Sequence, residues 1–151
     1  MRTKLYSLAF VFVTVFLISC NNDDDGNAAI IPAPSPPAAT GFTWTENGSS
    51  TVKTAASATF STQFKTLIAK DAGGLTVFEI NLDGASAATY TVGSTNAITY
   101  TEVNPYFVAN SGNVVISSNA NDKVTGTFQG TGNSAGITAV NGTFTDITVI
   151  P

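Results

Sequence analysis

Val124-Thr125-Gly126-Thr127-Phe128 is echoed sixteen residues later by Val140-Asn141-Gly142-Thr143-Phe144. Val, Thr and Phe suit a pleated, half-buried surface, so both segments read as strands. Residues 131–136, between them, hold Gly, Asn, Ser and Thr and read as a hairpin loop. With that loop centred between Asn133 and Ser134, Gly126 falls opposite Asn141, with Gly142 next to it. Glycines inside strands mark a bulge or a close backbone approach. Apolar parity also shifts along the second segment, from odd at Ile137 and Ala139 to even at Phe144. A bulge at Asn141-Gly142 produces such a shift. A tight turn at the same dipeptide is the alternative.

The same grammar runs upstream. Residues 42–46 meet 49–54 across Asn47-Gly48, a pair in which both residues tolerate positive φ. Residues 63–70 meet 75–82 across Asp71-Ala72-Gly73-Gly74. In the latter strand Phe78, Ile80 and Leu82 point one way, and Val77, Glu79 and Asn81 the other. Further strands fall at 88–92, 97–103, 106–109, 113–118, 123–129 and 137–147, separated by turn residues. No long window carries a helical apolar period. Residues 55–60 are the one place where a short helical turn fits. The expectation is an all-β domain over residues 41–151, an antiparallel β-sandwich or barrel-like domain of about nine strands. Its length is ample for one core and too small for two.

Composition narrows the chemistry. The chain has 151 residues, 11% of them charged, with no His and a single cysteine, Cys20. Without His there is no Ser/His or Cys/His nucleophile pair and no His-ligated metal. One Cys gives neither an intramolecular disulfide nor a Cys-cluster zinc site. Six basic residues and a net charge of −4 do not make a nucleic-acid footprint. Within residues 41–151, four Lys against seven Asp and Glu leave −3.

The N-terminus reads as an address. Arg2 and Lys4 precede an apolar run over residues 5–18. A membrane-spanning helix needs about 20 apolar residues. A basic start and a shorter apolar core describe a secretory signal peptide, here residues 1–19. Its exit, Leu17-Ile18-Ser19-Cys20, resembles the lipobox of bacterial lipoproteins. That resemblance implies lipidation of Cys20, which becomes the first residue of the mature chain. The acidic run Asp23, Asp24, Asp25 reads as a solvated spacer. It also looks like the acidic export tag of Bacteroidetes-type lipoproteins, which implies the outer membrane with the domain facing the cell exterior. The periplasmic face is the alternative. Pro32, Pro34, Pro36 and Pro37 make the rest of residues 20–40 an extended tether.

Taken with Glu79-Ile80-Asn81-Leu82, Thr89-Tyr90-Thr91-Val92, the Val124 and Val140 segments and the lipobox, the chain resembles a family of small all-β Bacteroidetes lipoproteins. Ala87-Ala88 departs from the Gly expected before Thr89. The resemblance implies a location and a fold. It brings no catalytic residues and no cofactor.

Three sets of residues remain as candidates for chemistry. Glu79, Asp83 and Glu102 are the only options for a carboxylate pair, but alternation puts Glu79 toward solvent and Asp83 starts a turn. Asn119-Ala120-Asn121-Asp122 offers oxygen donors without the carboxylates of a calcium cage. Trp44, Tyr90, Tyr100 and Tyr106 are candidate ligand-binding rings, or else core residues. The expectation is a non-enzymatic binding or structural module. Its partners are the membrane, through the lipid, and a glycan or envelope protein. A small-ligand binder with an internal cavity, or a polysaccharide-binding accessory lipoprotein, is the alternative.

Overall fold

The computed structural model describes residues 41–151. The signal peptide, Cys20, Asp23, Asp24, Asp25 and the tether lie outside the described residues. The described chain is all-β. Its strands are β1 (Gly41–Glu46), β2 (Lys53–Thr54), β3 (Ser57–Ser61), β4 (Thr66–Lys70), β5 (Thr76–Asn81), β6 (Ala88–Thr91), β7 (Ala97–Tyr100), β8 (Phe107–Val108), β9 (Ser111–Ala120), β10 (Lys123–Ser134) and β11 (Ile137–Ile150).

All of them belong to one sheet, in the order β6-β9-β10-β11-β3-β4-β5-β7-β8, with β1 and β2 joined to the side of β11. The expected antiparallel arrangement needs one correction. β11 runs parallel to β3, through Thr148–Ile150 beside Thr59–Ser61, so the sheet is mixed. The two-sheet sandwich does not form either. The hydrogen-bonded ladder is continuous, and it curls into a half-barrel. Its curvature follows from two rings. Phe128 on β10 and Phe78 on β5 are four strands apart, about 19 Å in a flat sheet. Their centroids are 5.3 Å apart, so the sheet bends back until its inner face meets itself.

The inside of the bend is filled by aromatic rings. Phe42 stacks on Phe128 at 5.0 Å, Phe78 stacks on Tyr100 at 4.7 Å, and Trp44 meets Phe78 edge-on at 5.2 Å. Buried Asn96 ties two strand ends together. Its carbonyl oxygen accepts from Asp83 N at 2.7 Å, and its amide donates to the Thr91 carbonyl at 3.0 Å.

Several local expectations change. No helical turn forms over 55–60: strand β3 begins at Ser57, and its Phe60 pairs with Leu67 on one side and Val149 on the other. Asn47 and Gly48 do take positive φ, at 52° and 71°, but the returning strand is only two residues long. Val77 is buried rather than turned outward. A register shift, Lys70 opposite Thr76 but Ala69 opposite Phe78, makes Val77 the extra residue of a bulge.

The β10–β11 hairpin turns at Ala135-Gly136, not between Asn133 and Ser134. Just before that turn Gly132 and Asn133 together oppose Thr138, and this one-residue shift brings Gly126 to face Phe144, with the ladder unbroken through Asn141 and Gly142. A further bulge lies beyond them, where Thr145 and Asp146 together oppose Thr125. Asp146 has a φ of 53° there, and its N–H donates to Thr125 Oγ1 at 3.0 Å.

Candidate functional site

Two features carry polar chemistry. The first grows from the alternation that builds the core. Phe42, Trp44 and Glu46 share one face of β1 by period two. Trp44 pairs directly with Lys53 of β2. The result is a polar cluster at the rim of the aromatic core. Glu46 Oε1 accepts from Lys53 Nζ at 2.6 Å, from Trp44 Nε1 at 3.3 Å and from the Tyr100 hydroxyl. Lys53 also donates to Tyr100 Oη at 3.1 Å. The Tyr100 hydroxyl lies 2.8 Å from Glu102 Oε2 as well.

Burial by itself raises Glu46, but the donors on Lys53, Tyr100 and Trp44 outweigh it and hold the carboxyl below its ordinary range. The bond to Glu46 raises the Lys53 ammonium above its ordinary value. Burial, and then the bond to Glu46, raise the Tyr100 phenol. Each group is thus locked in its pH 7 protonation state. The cluster satisfies the polar tips of two buried rings, as a buried Trp or Tyr requires. Sequence reasoning missed Glu46 and Lys53. The signal was there: an inward row reading Phe42, Trp44 continues to Glu46.

The second feature is an open groove of about 470 Å³ on the outer face of the sheet. It crosses β1, β11, β10 and β9, and Val52 of the 47–52 loop stands at its side. Two cross-strand rows run along it. One is Thr43, Thr143, Thr127, Val115 and, on β6, Thr89. The next is Thr45, Asn141, Gln129, Asn113 and Thr91. Neighbouring members are about 4.8 Å apart and the rows about 7 Å apart. Every side chain lining the groove is uncharged. A second outer hollow, lined by Val115, Ser117, Thr125 and Thr145, continues the groove past Thr43, Thr127 and Thr143.

The four candidate rings do not come together on a surface. Trp44, Tyr90 and Tyr100 are buried in the core, the second of the two readings open to them. Tyr106 is 63% exposed. Tyr90 donates to the Ser86 carbonyl at 2.7 Å. The three candidate carboxylates also separate. Glu79 accepts from Asn81, Asp83 lies by Thr95, and Glu102 joins Tyr100. Asn121 and Asp122, at φ 54° and 56°, form the two-residue turn between β9 and β10, and Asn119 donates to the Ala85 carbonyl at 2.8 Å. Among the described residues no group of three acids or thiols converges as metal ligands.

Comparison with protein-family models, curated proteins and solved structures finds no significant match to this chain.

Proposed function

We propose that the chain is a lipid-anchored, non-enzymatic β-module of the bacterial cell envelope, held by acyl chains on Cys20 and presenting its outer face to surface material. One observation carries the non-enzymatic reading. The densest titratable cluster among the described residues, Glu46, Lys53 and Tyr100, is bonded to itself and caps the aromatic core. The filled interior also favours an exposed face over an internal ligand cavity as the working surface. The anchored reading rests on the lipobox-like Leu17-Ile18-Ser19-Cys20, and the outward orientation on Asp23, Asp24 and Asp25. Two or more acyl chains, at roughly 0.8 kcal/mol per buried CH₂, make such anchoring stable.

The test is fractionation of cells expressing Cys20→Ser. Release of the protein from the membrane fraction is expected, and unchanged retention overturns the anchor. Protease treatment of intact cells, with and without Ala at 23–25, reads the orientation. Digestion that is lost on substitution supports the export tag. Protection of the unsubstituted protein places the domain on the periplasmic face instead.

A further inference from the structure

We propose that the outer groove is a binding site for a neutral polyhydroxylated chain, an uncharged glycan, read by the amides of Asn113, Gln129 and Asn141. The inference rests on the reading of the chain as a non-enzymatic surface module and names the ligand class of its exposed face.

The three amides sit side by side. Gln129 of β10 pairs with Asn141 on one flank and Asn113 on the other. Thr45 and Thr91 extend the row at its two ends. Propensity does not account for this placement, since Asn is depleted in strands. Thr, by contrast, is expected on an outward β face, so the threonines alone would say little.

The amides are also uncommitted. The side chains of Asn47, Asn81, Asn96 and Asn119 are used inside the protein, on Thr138, Glu79, Asp83 with Thr91, and Ala85 in turn, whereas those of Asn104, Asn110, Asn121 and Asn133 are not. Among the described residues, Asn113, Gln129 and Asn141 make no side-chain hydrogen bond. Each offers two N–H donors and a carbonyl acceptor. Sugar hydroxyls both donate and accept, so they match such groups one ring after another along the row. The adjacent Thr43, Thr127 and Thr143 supply hydroxyls with methyl groups beside them, and Val52 supplies an apolar wall.

The chemistry selects against other occupants. With no charged side chain in the groove, there is nothing to neutralise a phosphate or a uronate. The groove crosses the face of the sheet and leaves no free ladder for an added peptide strand.

The experiment uses the full-length lipidated protein in detergent micelles. The probes are cellohexaose, maltohexaose and laminarihexaose as neutral chains, with oligogalacturonate as the charged control. Titration calorimetry is expected to show binding of at least one neutral probe, unaffected by added salt. Combined substitution Asn113→Ala, Gln129→Ala and Asn141→Ala is expected to weaken it by about tenfold or more, with an unchanged Tm. Phe64→Ala, outside the groove, is expected to leave the affinity as it was. Failure of all three neutral probes, equal affinity in the triple variant, or preference for oligogalacturonate overturns the glycan site. Those results leave the anchored module standing, because membrane retention is read separately on Cys20→Ser.

Discussion

Phe128 on β10 lies directly opposite Gly142 on β11, and its ring fills the space that a side chain at residue 142 would need. The relation is reciprocal, since Phe144 faces Gly126 in the same way. The echo between the two segments is therefore a packing device. Each strand contributes one ring and one gap, and each ring shields the backbone of the opposite glycine from water. A Cβ at 142 would come within 2.2 Å of the Thr43 carbonyl and 2.5 Å of the Phe128 ring. Gly142→Ala is expected to lose about 3 kcal/mol or more. Adding Phe128→Leu should not restore stability, because the Thr43 carbonyl is still in the way. Urea denaturation of the single and double variants checks both points, and rescue by the leucine would show that the ring alone sets the constraint.

Asn47 joins the first hairpin to the last. Its Oδ1 accepts from Thr138 N at 2.7 Å and Ala139 N at 3.2 Å, and its Nδ2 donates to the Gly136 carbonyl at 2.9 Å. Its φ of 52° suits Asn or Gly. Asn47→Gly keeps the conformation and loses every side-chain bond, so it is expected to cost about 1–3 kcal/mol. Asn47→Asp keeps the acceptor and should fall between the two. If Asn47→Gly matched the unsubstituted protein in denaturant, the turn conformation alone would be the residue's role.

The sequence makes the all-β class plain because Thr, Val, Ile and Phe recur between closely spaced turns. Phe78 and Ile80 were legible by alternation, and Val77 was not, since its bulge depends on how β4 pairs with β5. The hairpin register was misread for a related reason. Ala135 gives no warning that it adopts a positive φ, so the centre of the turn is displaced in the sequence reading. The parallel contact of β11 with β3 joins residues about ninety positions apart, and no local pattern encodes it. The site follows the same division. Glu46 continues a visible inward row, whereas the amide row exists only once three strands are set side by side.

The rim cluster sets a pH profile. Glu46 is held below its ordinary 4.5, so its contribution is present above that value and lost as pH falls through the folded-state value. Lys53 and Tyr100 are held above 10.5 and 10.0, so their contribution is present below about 10 and lost as pH rises further. A stability plateau bounded by an acid and an alkaline limb is expected. Glu46→Gln should lower the plateau and flatten the acid limb. Tyr100→Phe should keep the ring stacked on Phe78 and flatten part of the alkaline limb. Lys53 is 42% exposed, so solvent screening keeps its share modest. Tm measured against pH checks these expectations, and an acid limb unchanged in Glu46→Gln would assign that limb to other carboxylates.

Ala135 is the residue whose replacement should help. It occupies the first position of the two-residue turn between β10 and β11, with φ at 51°, followed by Gly136 at 80°. Turns with positive φ at both positions prefer Asn-Gly, and Ala bears a steric cost there. Ala135→Asn would give this hairpin the Asn-Gly pair already present at Asn47-Gly48. A gain of about 1 kcal/mol is expected, read as a higher urea midpoint at unchanged denaturant slope. Ala135→Gly should gain less, because added freedom in the unfolded chain offsets part of the relief. Ala135→Val, β-branched at the same φ, should lose stability. The order Asn, Gly, Ala, Val tests the turn assignment directly. A series in which Val is tolerated as well as Ala would return the centre of the hairpin to Asn133-Ser134.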